Sequence, residues 1–267
     1  MGNIHQRLLS ARTPTTAKVM RLFLVYMFLP FYLKAQVITT YVGNGVSGYS
    51  GNGGLATASC ISIPMGLTID LNGDLLVCQH MLVRKIDCTT GIITTIAGSD
   101  TATSAGHGGD GGIATNAQLV EPYAVSVDAN NNLYITDYWY YEVRKVMSST
   151  GIIDTFAGNR STGGTGDGGL AKRATFNSVF GLCVDTFRNV IYISDEWGAR
   201  VRKVDMSSMI ISAFAGSGSS GYSGDGGLAT AAKFSRVLGL AIDKHGNVYI
   251  GDWDNGRIRK VDAVTKI

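Results

Sequence analysis

Gly224-Asp225-Gly226-Gly227 decides the fold, because the same pattern occurs four times in the chain. It returns as Gly51-Asn52-Gly53-Gly54, Gly109-Asp110-Gly111-Gly112 and Gly166-Asp167-Gly168-Gly169, with its second residues 58, 57 and 58 positions apart. The frame around it is wider: residues 221–230, Gly-Tyr-Ser-Gly-Asp-Gly-Gly-Leu-Ala-Thr, match residues 48–57 except that Asn52 stands for Asp225. A fixed period of this length marks a repeat architecture, in which each unit buries its faces against its neighbours.

Within a unit the order of signals is constant. In the fourth, Val237-Leu238-Gly239-Leu240-Ala241-Ile242-Asp243 is an apolar run, Lys244-His245-Gly246-Asn247 a turn, and Val248-Tyr249-Ile250-Gly251-Asp252 a second run. Trp253-Asp254-Asn255-Gly256 turns again and leads into Arg257-Ile258-Arg259-Lys260-Val261-Asp262; earlier units add a fourth run such as Ile92-Ile93-Thr94-Thr95-Ile96-Ala97-Gly98. Short runs rich in Val, Ile, Thr and Tyr between Gly/Asn/Asp turns are strands. Four antiparallel strands per unit with both faces apolar describe a sheet sandwiched between two others, which is a propeller blade. The fold expected is all-β, with blades at about 37–98, 99–158, 159–216 and 217–267.

Several of these segments resemble the NHL repeat: Pro64-Met65-Gly66-Leu67-Thr68-Ile69-Asp70, Asn132-Leu133-Tyr134-Ile135-Thr136-Asp137, Arg257 to Asp262 and Ile93-Thr94-Thr95-Ile96-Ala97-Gly98. The long loop with Gly-Tyr-Ser-Gly-Asp-Gly-Gly is similar to that of secreted microbial NHL proteins and, more distantly, teneurins. The resemblance runs from residue 36 to the last residue and implies a β-propeller that presents a binding face. It implies no activity, since a fold hosts many functions.

Residues 37–43, Val-Ile-Thr-Thr-Tyr-Val-Gly, read as a fourth strand lacking its blade, and Thr265-Lys266-Ile267 stops where another fourth strand is due. Two arrangements fit. Either the N-terminal strand completes the last blade and closes a four-bladed ring with Ile38 to Val42 beside Arg257 to Val261, or the blades are part of a ring of about six.

The first 35 residues differ from the rest. Arg7, Arg12, Lys18, Arg21 and Lys34 occur there without an acidic residue, and Leu22 to Leu33 is apolar and aromatic. That run is shorter than the roughly 20 residues of a membrane span and is followed by the small Ala35, so it reads as an export signal cleaved near Ala35/Gln36, with Met20 an alternative start. Export would make the protein secreted or cell-surface, with no membrane span after cleavage. Of the 23 Lys and Arg, five lie in the leader; the remaining 18 face 20 Asp and Glu, so the rest of the chain is about −2 although the whole is +3. Nothing in that balance suits nucleic acid, which demands a clustered basic face.

Cys60, Cys78, Cys88 and Cys183 form neither a dense disulfide framework nor a CxxC metal spacing. Cys183 aligns with Thr68, Ser126 and Ala241, and Cys78 with Thr136, Ser194 and Gly251, so both are read as small buried side chains.

The recurrent carboxylates have structural readings. Asp70, Asp128, Asp185 and Asp243 end first strands before Gly/Asn turns, where the side chain accepts from turn N–H groups. Asp137, Asp195 and Asp252, with Gln79 in the first unit, end second strands, and are expected to meet the third-strand Arg84, Arg144, Arg202 and Arg259 or to leave those arginines to backbone carbonyls. The glycine-rich loops carry no Gly-Lys-Ser/Thr and open no helix, so they are not phosphate cradles. Asn52, Asp110, Asp167 and Asp225 supply one carboxylate or amide per unit, too few for a tight calcium site; the loops are read as positive-φ turns with no metal or cofactor.

His80, His107 and His245 occupy three different repeat positions and so do not converge on a channel, and the chain carries no GxSxG and no HExxH. A lyase-like or lactonase-like propeller enzyme completed by further blades is the alternative to a non-enzymatic recognition or scaffold module. For the latter the candidates are aromatic. Trp139, Trp197 and Trp253 all fall in second-to-third-strand turns, with Tyr138 and Tyr140 beside the first, at the same end of the sheet as the glycine-rich loops carrying Tyr49 and Tyr222. Aromatic residues exposed together are what hot spots for a protein or glycan partner are made of.

Overall fold

The computed structural model describes residues 37–99 and 108–265; the basic leader and His107 lie outside the described residues. The chain divides into two compact units at Thr39/Thr40. Val37 to Thr39 have no regular structure, and the unit beginning at Thr40 carries every strand among the described residues.

That unit is a four-bladed β-propeller. Blade 1 is β1 (Leu67–Ile69), β2 (Leu75–Gln79), β3 (Leu82–Ile86) and β4 (Ile93–Ala97). Blade 2 is β6 (Pro122–Val127), β7 (Leu133–Asp137), β8 (Glu142–Val146) and β9 (Ile152–Ala157), with a short β5 (Gly112–Ile113) laid on the outer edge of β9. Blade 3 is β10 (Val179–Asp185), β11 (Val190–Asp195), β12 (Arg200–Asp205) and β13 (Ile210–Ala215). Blade 4 has three strands, β14 (Val237–Ile242), β15 (Val248–Asp252) and β16 (Arg257–Val261). All strand pairs are antiparallel and, β5 with β9 aside, follow chain order, and among the described residues the helical content is a few single 3-10 turns such as Ala56–Ala58.

The blades follow one another by packing their first strands in the series β1, β6, β10, β14. The core lies between sheets, as two apolar faces per blade require. Leu76, Cys78 and Val83 of blade 1 meet Val125, Val127 and Ile135 of blade 2. Tyr134, Val143 and Phe156 of blade 2 meet Leu182, Ile191 and Val204 of blade 3. Cys183, Tyr192 and Val201 of blade 3 meet Val237, Val248 and Ile250 of blade 4. The buried cysteines Cys78 and Cys183 thus stand in apolar seams, and burial raises both thiols above the usual range.

The end blades are covered on one side only. In β1, Leu67 and Ile69 are 63% and 57% exposed, and along β14 exposed and half-buried residues alternate, whereas β10 between two neighbours is buried nearly throughout. β16 has no partner on its outer edge among the described residues, so of the two arrangements that fit the sequence the one with Ile38 to Val42 beside Arg257 to Val261 is not formed. Val42 instead packs against Ala56, Val77, Ile86 and Ile93 of blade 1.

Candidate binding face

The second, third and fourth glycine-rich loops lie between an outer strand and the next inner one, the first precedes β1, and their glycines hold left-handed backbone: Gly109 and Gly111 at φ 103° and 76°, Gly224 and Gly226 at 91° and 77°. The shape is enforced by more than φ, since a Cβ on Gly109 would stand 2.7 Å from Ala117 Cα, and one on Gly224 would stand 2.7 Å from Ala232 Cα.

The acidic residue inside the loop anchors it. Arg144 Nη2 donates to Asp110 Oδ1 at 2.6 Å, Arg202 Nε to Asp167 Oδ1 at 2.9 Å, and Arg259 Nη2 to Asp225 Oδ1 at 2.5 Å. The guanidinium also donates to loop carbonyls, Arg202 to Thr175 O and Thr165 O, Arg259 to Lys233 O and Ser223 O. It lies over an aromatic ring as well, Arg202 on Phe176 at 4.8 Å and Arg259 on Phe234 at 4.6 Å. Arg84, Arg144 and Arg202 are fully buried, so this satisfaction is what makes the charge tolerable between sheets. In the first unit Asn52 cannot pair with a cation; it accepts from Thr95 N–H, and Arg84 donates to Ser50 O and Cys60 O.

The backbone carbonyls expected as one partner of these arginines are thus found, but the charge partner of Arg144, Arg202 and Arg259 is chiefly the loop carboxylate; the second-strand carboxylate stands farther off, Asp252 Oδ2 lying 3.9 Å from Arg259 Nη1. Asp195 and Asp252 accept mainly from backbone, from Asn177 N–H and Ser235 N–H, and Asp137 accepts from Val120 N–H. The reason is position: each ends its strand beside the segment entering the first strand, whose N–H groups need an acceptor. Burial, with the Glu142 carboxylate close by, pushes Asp137 up to about 7 against the pull of Val120 N–H and Arg144. The first-strand carboxylates do cap their turns, Asp70 accepting from Asn72 and Asp74 N–H and Asp243 from His245 and Asn247 N–H.

Above the loops stand the aromatic residues. Trp139, Trp197 and Trp253 are 53%, 60% and 64% exposed, one on each of blades 2, 3 and 4 at the same turn. Trp139 and Trp197 have charged or aromatic neighbours: Tyr138 of the same turn meets Trp139 edge-on at 5.2 Å, and the guanidinium of Arg236, which precedes β14 of blade 4, lies 4.5 Å from the Trp197 ring of blade 3. Tyr138 and Tyr140 are half-buried. Tyr49 and Tyr222 are tied down, Tyr49 Oη to His80 Nδ1 at 2.7 Å and Tyr222 Oη to Asp225 Oδ2 at 2.5 Å, with Arg257 over the Tyr222 ring at 3.8 Å. His245 is exposed in a turn at the other end.

Residues that sequence reasoning passed over join this end. The Tyr123 and Phe180 rings meet at 4.7 Å, tilted by 30°, across blades 2 and 3, and Tyr123 Oη donates to Glu121. Buried Glu196 accepts from Arg236 Nε at 2.8 Å across blades 3 and 4. The signal was a bulge: pairing of the first and second strands shifts between Pro122 and Val125 and between Val179 and Leu182, which turns Tyr123 and Phe180 out of the alternating pattern. Among the described residues no cluster of three or more His, Cys, Asp or Glu could hold a metal ion, and no helix is long and apolar enough to cross a membrane.

No family model matches the chain. Teneurin-1 of Gallus gallus is 28% identical over 240 residues, 80% of this chain and 8% of its own length. Human NHL repeat-containing protein 2 is 24% identical over 137 residues, 50% of this chain and 19% of its own length. These likenesses, with the repeat and the blades, place the chain among the NHL-repeat β-propellers. This NHL propeller also shares its fold with solved structures. An auxiliary nutrient binding protein from Bacteroides thetaiotaomicron superposes with TM-score 0.53 at 19% identity, over 72% of this chain and 46% of that one. Virginiamycin B lyase from Staphylococcus aureus does so with TM-score 0.50 at 14% identity, over 77% and 54%. The chain spans less than a tenth of the teneurins and about half of these structures.

Proposed function

We propose that this NHL propeller is an exported, non-enzymatic recognition module that binds a protein or glycan through the end carrying the tryptophan turns and the glycine-rich loops. The observation that carries it is the threefold recurrence of a half-exposed or more exposed indole at the same turn of blades 2, 3 and 4, with Trp139 set against Tyr138 and Trp197 against Arg236. An indole kept in water gains free energy only when a partner covers it, and a rigid mount lowers the entropy lost on binding. The buried arginine and loop-carboxylate pairs hold the platform, so the aromatic residues can project without disturbing the core. A binding protein among its structural neighbours supports the reading, as does the apolar leader for export.

The test is the double substitution Trp139→Ala with Trp197→Ala, assayed on glycan and surface-protein arrays beside a thermal melt. Loss of array binding at an unchanged melting temperature is the expected result. A melting temperature lowered by several degrees with binding intact would make the indoles packing residues and move the binding face elsewhere.

A further inference from the structure

We propose that the cavity between blades 1 and 2 binds one sugar ring, the end unit of a glycan that runs on across the tryptophan turns. This deepens the recognition reading above and rests on it. The inference comes from the three seams between successive blades, where the same two repeat positions meet and are filled differently.

One position lies in the segment entering a first strand. Glu121, Ser178 and Arg236 are equivalent there, because Tyr138 N–H donates to Glu121 O, Glu196 N–H to Ser178 O and Trp253 N–H to Arg236 O. The other opens the turn of the preceding blade, where His80, Tyr138 and Glu196 each follow the last residue of a second strand. Between blades 3 and 4 the two positions are joined by an ion pair, Arg236 Nε donating to Glu196 Oε1 at 2.8 Å. Between blades 2 and 3 packing closes the seam: the Tyr138 ring meets Tyr123 at 4.7 Å and Phe180 at 6.3 Å, and Ser178 is buried.

Between blades 1 and 2 the residues are His80 and Glu121, and each turns to a tyrosine. Tyr49 Oη lies 2.7 Å from His80 Nδ1, and Glu121 Oε2 accepts from Tyr123 Oη at 2.8 Å. A cavity of about 210 Å³ is left, lined by Ile63, Met65, His80, Glu121, Pro122 and Tyr123. Ile63 on its wall holds φ 49°, the one β-branched residue with left-handed backbone among the described residues. Such a conformation is costly and persists only where the surroundings hold it.

The walls define the ligand. With the Tyr49 hydroxyl donating to Nδ1, the imidazole proton sits on Nε2, which donates to a ligand, while Glu121 keeps Oε1 as an acceptor. Neighbouring sugar hydroxyls, each both donor and acceptor, satisfy the two at once, and a bond to a carboxylate is roughly twice as strong as a neutral one. A cationic side chain would suit Glu121 and the rings but leave the Nε2–H without an acceptor. Met65, Pro122 and the Tyr123 ring give the apolar wall on which the C–H face of a sugar packs. The volume is below the roughly 300 Å³ at which pockets for whole drug-sized ligands begin, which limits the cavity to one ring. From it the aromatic surface is continuous, Tyr123 meeting Tyr138 at 4.7 Å and Tyr138 meeting the exposed Trp139 at 5.2 Å.

The experiment is saturation-transfer NMR on the purified full chain with a panel of methyl glycosides, beside blocked dipeptide amides, which also donate and accept. Glu121→Gln keeps an oxygen for Tyr123 Oη and replaces the second acceptor by a donor. Met65→Trp fills the cavity from its rim, where Met65 is 42% exposed, and decides alone if Glu121→Gln lowers the melting temperature. The expected result is a glycoside that binds the wild type and that each variant binds about tenfold more weakly or worse. The proposal is overturned if no glycoside binds, if either folded variant holds the glycoside as well as the wild type, or if dipeptide amides bind in place of glycosides. A chain that binds arrays through Trp139 and Trp197 yet takes no glycoside keeps the platform reading and loses the sugar site.

Discussion

At the scale of the residue, the least comfortable group in the fold is Asp137. Its carboxyl is fully buried beside Glu142, and burial raises it to about 7. An acid raised in the folded state and near 3.9 in the unfolded one holds its proton only while folded over that interval, so stability falls as pH rises from about 4 to about 7 and is flat above. Asp137→Asn keeps an oxygen for Val120 N–H and removes the titration. The variant should gain on the wild type as pH climbs through that window, and melts at pH 4, 5.5 and 7 check it; a difference that does not change with pH would mean Asp137 is ionised in the fold. The turn-capping role of Asp70, Asp128, Asp185 and Asp243 was legible, because an Asp before Gly/Asn has its acceptor within reach of local N–H groups. The partner of the buried arginines was legible only in part. That an arginine between sheets needs an anion follows from the sequence; that the anion is Asp110, Asp167 or Asp225, some 34 or 35 positions earlier, depends on how the loop folds back over β9 and its equivalents.

At the scale of the element, glycines with the same φ differ in what surrounds them. Gly98→Ala must place a methyl 2.0 Å from Met81 O at φ 87°, whereas Gly53→Ala at φ 81° meets nothing within 4 Å. The second carries only the left-handed penalty, about 1 kcal/mol, while the first adds a backbone clash and should cost at least about 2 kcal/mol more. Thermal or denaturant melts of the two variants compare them directly, and equal losses would show that the outer strand moves freely away from the hairpin it abuts. Element types and order were readable, since period-two apolar runs between Gly/Asn turns leave few alternatives. Bulges were not, because they break that period: the residues around Tyr123 and Phe180 look like ordinary strand, and only pairing with β7 and β11 shows where the register slips. Hydroxyls at the small-residue position were likewise undervalued. Thr136 Oγ1 donates to Phe180 O and Ser194 Oγ to Leu238 O, so this position, read as merely small, also ties blade to blade.

At the scale of the molecule, the repeat period carried the architecture, since four copies in register leave a radial stack of sheets as the way to bury both faces of each. The course of residues 37–42 was not legible, because a strand sequence does not say which edge it will join. All three tryptophans of the chain occupy the turns at the loop end, so intrinsic tryptophan emission reports on that face alone. Acrylamide quenching of that emission, with and without a ligand captured from glycan or surface-protein arrays, is the most direct measurement of the binding face. The account predicts emission of wet indole that acrylamide quenches readily in the free chain and that bound ligand protects. Emission of buried indole resistant to acrylamide, or quenching that a saturating ligand leaves unchanged, would contradict it.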